Sequence, residues 1–170
     1  MSTASEGRSE REREEEEAVE QAVLYARDLA SAQASRHVLS RRMAGHGKPK
    51  RKLLIADDDA SMRLLVSATL ASEDYEILEA GTGLEALRIV ESELPDLVLL
   101  DVHMPEMNGL EACRRIRAMS GDRVVHIVML TGAADPCEQD EGIRAGADRY
   151  LTKPFRPLQL IEVIEQTLGT

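Results

Sequence analysis

A chain of 170 residues, 43% of them hydrophobic, is long enough for one compact domain plus an extension. Its formal net charge of -10 argues against a general nucleic-acid binder, because neutralising phosphates takes clustered Lys and Arg. The acidity is uneven: residues 1–52 hold 9 acidic and 11 basic side chains, whereas residues 53–170 hold 22 and 10, so the acidic part is the part with a core to fold.

Residues 1–17, with the run Glu14 to Glu17, have too little apolar content to fold alone and read as a solvated tail. They also lack the apolar run of a secretory signal, and no later stretch approaches a membrane-spanning length. A soluble, cytoplasmic protein without membrane insertion is expected. From 18 to 43 there is neither Pro nor Gly, and Val19, Ala22, Val23, Ala26, Leu29 and Ala30 fall at helical spacing. The segment reads as a helical extension with a thin apolar stripe, suited to docking on a partner helix or to weak self-association. Residues 44–50, which include Gly45, Gly47 and Pro49, read as a linker. The basic run from Arg36 to Lys52 is either a solvated linker or a docking element for something acidic, the following domain included.

From 51 to 170 the chain alternates. Short apolar runs at 53–56, 75–78, 97–100, 124–130 and 149–151 have the length and the Val, Ile and Leu content of strands. Helical patterns separate them. Arg63, Leu64, Leu65, Ala68 and Thr69 belong to the first, Leu84, Ala86, Leu87 and Val90 to the second, and Leu110, Cys113, Arg114 and Ile116 to the third. A less apolar fourth lies around 138–144 and a fifth over 158–168. Five strand-helix repeats predict an α/β domain: a doubly wound, five-stranded parallel sheet with helices on both faces and right-handed crossovers. The first and third strands should lie side by side at its centre.

The polar residues that end these runs converge on one edge, because the carboxyl ends of parallel strands open together. Asp57-Asp58-Asp59 follow the first strand, Asp101 the third, Thr131 the fourth, and Lys153-Pro154 the fifth. Crowded carboxylates repel one another, and a hard divalent cation with oxygen ligands relieves this, which makes Asp57, Asp58 and Asp101 a candidate Mg²⁺ site. A carboxylate can also act as nucleophile toward a phosphoryl group and form an acyl phosphate. Lys153 supplies a cation and Thr131 a hydroxyl donor for the phosphoryl oxygens. Asp59, ahead of Ala60-Ser61, reads as a helix N-cap. Cys113 and Cys137 have neither CxxC spacing nor a nearby His pair, which argues against zinc and against a disulfide framework.

Asp57-Asp58, Asp101, Thr131, Lys153-Pro154-Phe155 and the loop Met104-Pro105-Glu106-Met107-Asn108-Gly109 resemble the receiver domain of two-component response regulators over residues 51–170. The resemblance implies a flavodoxin-like strand order 2-1-3-4-5 and a cis Lys153-Pro154 bond. It also implies site roles: Asp101 as phosphoacceptor, Asp58 as direct Mg²⁺ ligand, Asp57 holding the metal through water, and the backbone carbonyl of His103 as a further ligand. Thr131 and Lys153 would bind phosphoryl oxygens, and Thr131 with Tyr150 would form a switch that reshapes the face of the fourth helix, fifth strand and fifth helix. The implied protein is a single-domain response regulator, phosphorylated by a histidine kinase or phosphotransfer protein. It signals to a downstream protein target, with no nucleic acid and no enzymatic activity beyond its own phosphorylation and dephosphorylation. A dimer through the N-terminal helix or the switch face is open to it.

Two other readings compete. A receiver-shaped module that is never phosphorylated would be expected to lack one of the acids or Lys153. Gly81-Thr82-Gly83-Leu84-Glu85-Ala86 matches the GxGxxA of a dinucleotide-binding turn, with Asp101 near the offset of a ribose-binding acid. That reading leaves Asp57, Asp58, Thr131 and Lys153 without tasks.

Overall fold

The computed structural model describes residues 50–71, 75–121, 123–132 and 136–169. The expected tail at 1–17, the helix at 18–43 and all of the linker but Lys50 lie outside the described residues.

The elements run β1 (Arg51–Ala56), α1 (Ala60–Leu70), β2 (Tyr75–Ala80), α2 (Gly83–Glu93), β3 (Leu97–Asp101), α3 (Gly109–Ser120), β4 (His126–Thr131), α4 (Pro136–Ala145), β5 (Arg149–Thr152) and α5 (Pro157–Leu168). All strand pairs are parallel and the sheet order is β2-β1-β3-β4-β5. The two central strands have no solvent face, which is why they read as unbroken apolar runs rather than as an alternation. Their register sets Leu53 against Leu97 and Ala56 against Leu100. Successive side chains therefore feed two separate cores. Leu53, Ile55, Leu97, Leu99, Val128 and Leu130 pack with Met62, Leu65, Val66 and Leu70 of α1 and Leu160 and Ile164 of α5. On the other face Leu54, Val98, Leu100, Ile127 and Met129 meet Ala86 and Val90 of α2, Ala112, Cys113 and Ile116 of α3, and Ala145 of α4. Each fully buried side chain of this size stabilises the fold by about 1.5–3 kcal/mol, so both cores are needed to offset chain entropy.

Helix starts follow local chemistry. The Asp59 carboxylate accepts from the Ser61 N–H at 2.8 Å, as expected of an N-cap. Thr82 caps α2 through the Glu85 N–H, and Asn108 caps α3 through the Glu111 N–H. The GxGxxA stretch is absorbed by this packing. Glu85 accepts from the Gly81 N–H at 2.8 Å, and a Cβ on Gly83 would stand 2.9 Å from the Met107 Cβ. Gly83 thus admits Met107 of the β3–α3 loop, where a dinucleotide fold would admit a pyrophosphate.

Every strand differs from its apolar run: β1 begins at Arg51, two residues earlier, and β3, β4 and β5 each end one residue later. β4 starts at His126 rather than at 124, because Val124 is 71% exposed and stands outside the ladder. β2 continues past 78 to Ala80, with Glu79 pairing Arg63 at 3.3 Å on the solvent side.

Cys113 is fully buried and its thiol donates to the Ala145 carbonyl at 3.3 Å. Burial pushes its pKa up to about 11, against a smaller downward pull from Arg117. Native alkylation at pH 8 followed by peptide mapping should therefore leave Cys113 unmodified, and denaturation should expose it; rapid native labelling would contradict this packing.

Candidate functional site

The carboxyl edge of the sheet gathers residues from β1, β3, β4 and β5. Because Ala56 and Leu100 are partners across β1 and β3, the next residue of each strand, Asp57 and Asp101, emerges at the same level. Asp57 is wholly buried and Asp101 nearly so, whereas Asp58 is exposed. Oxygens of Asp57, Asp58 and Asp101 lie within 4.8 Å of one another. Lys153 reaches in from the end of β5, and its ammonium donates to Asp57 Oδ2 at 2.6 Å and to Asp101 Oδ1 at 2.8 Å. The Lys153–Pro154 bond is cis. The Lys153 N–H donates to the Thr131 carbonyl at 2.7 Å, which ties the end of β5 to the end of β4.

The electrostatics follow from this crowding. Burial raises the Asp57 pKa, the Lys153 hydrogen bond and charge oppose the rise, and the neighbouring Asp101 adds to it; the result lies above the ordinary carboxyl value. Burial alone would lower the Lys153 pKa, but hydrogen bonds to Asp101 and Asp57 outweigh it and the ammonium is held. One ammonium set against three carboxylates leaves excess negative charge among hard oxygen donors. That donor set fits Mg²⁺, which binds through few carboxylates and keeps waters. Thr131 is buried, and its hydroxyl has no hydrogen-bond partner among the described residues. A buried hydroxyl of this kind is one that an incoming oxygen can satisfy.

His103 lies in the loop after β3 with its side chain exposed. That loop is anchored by the Gly109 N–H donating to the Val102 carbonyl at 2.9 Å. Tyr150, in β5, is half-buried on the α4 side of the sheet. Its hydroxyl is buried without a partner among the described residues, and a Cβ on Gly142 would come 2.8 Å from the ring's Cζ. Gly142 is thus the space into which the phenol tip fits.

Arg63 is the residue that sequence reasoning missed. It scores as one more position of the α1 pattern, yet its guanidinium reaches back to donate to the Asp57 carbonyl at 2.7 Å and the Asp58 carbonyl at 3.3 Å, while it pairs with Glu79. The only available signal was a long cationic side chain four positions after the N-cap Asp59. Arg63→Ala should cost about 1–2 kcal/mol in urea unfolding and weaken Mg²⁺ binding followed by calorimetry, since the acidic loop loses its anchor. A variant with unchanged stability and affinity would show that the anchor is redundant.

Comparisons with known proteins agree with this architecture. The family model described as response regulator receiver domain matches residues 53–165. The DNA-binding response regulator MtrA of Mycobacterium tuberculosis is 40% identical over 119 residues, which make up 70% of this chain and 51% of that protein. The chain thus spans about half the length of the curated relatives it matches. Among solved structures, the chemotaxis protein CheY4 of Vibrio cholerae superposes with a TM-score of 0.67 at 36% identity, over 70% of this chain and 99% of that one. A putative response regulator from Chloroflexus aurantiacus gives 0.67 at 34%, over 71% and 99%.

Proposed function

Because the chain belongs to the response regulator receiver family, we propose that it accepts a phosphoryl group on Asp101 and reports that modification through its surface to another protein. The observation that carries this reading is the Lys153 ammonium held between Asp57 and Asp101, with the Asp58 carboxylate within reach. In this reading an oxygen of Asp101 forms the new bond to phosphorus. The donor's P–N bond, in a phosphohistidine, or P–O bond, in a small acyl phosphate, breaks as the leaving group keeps the electron pair. Lys153 and the Thr131 hydroxyl then pair with the phosphoryl oxygens. Asp57, Asp58, Asp101 and the His103 carbonyl would hold Mg²⁺, which when bound supplies charge neutralisation for the phosphoryl oxygens.

The phosphoryl donor in this reading is a histidine kinase or a phosphotransfer protein inside the cell, and residues 51–170 act as the receiver behind the 18–43 extension. Thr131 and Tyr150 form the switch: the phosphoryl group favours the conformer in which Thr131 has moved toward it, and the face made by α4, β5 and α5 changes in consequence. Exposed Ile143 and Leu158 supply that face with apolar contact points. A protein target fits residues 53–170 better than nucleic acid does, since 22 acidic side chains there outnumber 10 basic ones. None of the described helices is long and apolar enough to cross a membrane.

The test is intact-mass analysis after incubation with a small acyl-phosphate donor, with and without Mg²⁺, followed by mapping of the modified peptide. A Mg²⁺-dependent gain of one phosphoryl group on the peptide carrying Asp101 is expected. Modification elsewhere, or none from the small donor and a panel of histidine kinases, would overturn the reading and leave a receiver fold used purely for binding.

A further inference from the structure

The opposite edge of the sheet carries a feature that phosphoryl chemistry does not use. Val90 and Leu94 at the end of α2, Met119 at the end of α3 and Val125 before β4 line a groove of about 310 Å³, rimmed by Glu91, Ser120 and Arg123. Leu94 is 53% exposed, Met119 46%, and the neighbouring Val124 71%. This is a cluster of large apolar side chains rather than scattered single ones. The groove has a built wall, because the Arg123 guanidinium donates to the Leu94 carbonyl and holds the α2–β3 turn against the turn that leads into β4.

The polypeptide enters the domain beside that wall. The Lys52 N–H donates to Asp96 Oδ2 at 2.8 Å, the Asp96 N–H returns to the Lys52 carbonyl at 2.8 Å, and the Lys52 ammonium meets Glu93 at 2.7 Å. The chain is thus held at Lys52 against the α2–β3 turn that carries Leu94, two residues after the first described residue. The sequence ahead of it carries apolar residues at helical spacing, Val19, Ala22, Val23, Ala26, Leu29 and Ala30. Half of the stripe is Ala, which would let a helix backbone come close to a shallow groove, with Val19, Val23 and Leu29 as the larger contacts. Roughly 20 residues join it to β1, a reach of up to about 60 Å when extended and ample for the turn back. Charge acts on the connection rather than on the stripe: residues 31–50 carry 5 basic and no acidic side chains and face residues 53–170 with 22 acidic and 10 basic, whereas 18–30 itself holds Glu20, Arg27 and Asp28.

We propose that residues 18–30 dock in the Leu94–Met119–Val125 groove of the same chain. The extension then covers the edge of the sheet remote from Asp101 and leaves both the acidic site and the α4–β5–α5 face open. It acts as a permanent cover for the apolar cluster rather than as a gate for phosphorylation.

The experiment uses the full chain with its methionine methyl groups ¹³C-labelled. Val23→Asp combined with Leu29→Asp should shift the Met119 methyl resonance while leaving those of the buried Met62 and Met129 in place. Reciprocally, Met119→Glu should make the amides of 18–30 exchange roughly tenfold faster. Both effects should be independent of protein concentration, as an intramolecular contact requires. An unmoved Met119 resonance would overturn the proposal, and so would unchanged exchange over 18–30. Effects that fade on dilution would overturn it in favour of a second copy as the occupant.

Discussion

Asp101→Asn should abolish acyl-phosphate formation while keeping the fold. The substitution is nearly isosteric but replaces an anionic oxygen nucleophile with a neutral amide, which cannot form the mixed anhydride. Structural consequences should be small because two effects oppose each other. The Lys153 ammonium exchanges a charged acceptor at 2.8 Å for the weaker amide oxygen, whereas Asp57 loses the like-charged neighbour that helps to raise its pKa. The Lys153–Asp57 contact at 2.6 Å remains. Unfolding in urea should therefore shift by no more than about 1 kcal/mol, and the intact mass after treatment with a phosphoryl donor should show no gain. A gain equal to that of the parent would move the acceptor to another residue. Loss of the fold would instead mean that the Asp101 charge organises the edge.

Gly109→Ala is expected to be the most damaging one-methyl change in the domain. A Cβ there would fall on the carbonyl oxygen of Asp101, 2.8 Å from its carbonyl carbon and 3.1 Å from the Val102 Cα. All of these are backbone atoms that cannot swing aside. Gly109 is the first residue of α3, and on helix propensity alone Ala would gain about 1 kcal/mol. The steric term has the opposite sign and should win, for a net loss of about 3 kcal/mol. Relieving the clash means moving either α3 or the end of β3, so phosphorylation of Asp101 should slow together with the loss of stability. Gly132→Ala is the control, since among the described residues nothing lies within 4 Å of a Cβ at that position. Equal stability of the two variants in urea would show that α3 can shift freely against the acceptor strand.

The contrast between those glycines shows where the sequence could be read and where it could not. Asp57, Asp101 and Thr131 were legible because each stands at the end of a run of buried residues, and Lys153 because it follows the short strand-like run at 149–151; in a parallel sheet such run ends share one edge. The placing of helices on both faces and the pairing of the first and third strands followed from the same alternation, whereas the full strand order came from the resemblance to receiver domains. Arg63 was not legible, because a helical pattern records which face a residue occupies and says nothing of a side chain that folds back over the preceding loop. Gly83 and Gly109 were not legible as contact points either. Their meaning depends on residues 107 and 101, which only the tertiary fold brings near. Val124 misled for a simpler reason: an apolar residue beside a strand looks like part of it until the ladder is seen to begin at His126. The expected helix over 18–43 falls outside the described residues, and its place is the subject of the docking proposal.

The site draws its groups from the ends of four strands, and Lys153 follows all the others in chain order. During synthesis the acids of β1 and β3 leave the ribosome well before the ammonium that balances them. A growing chain therefore carries a crowded acidic edge without its counter-charge until β5 has emerged and paired with β4 through Thr131. In the proposed reading, competence to accept a phosphoryl group is in this way tied to completion of the sheet.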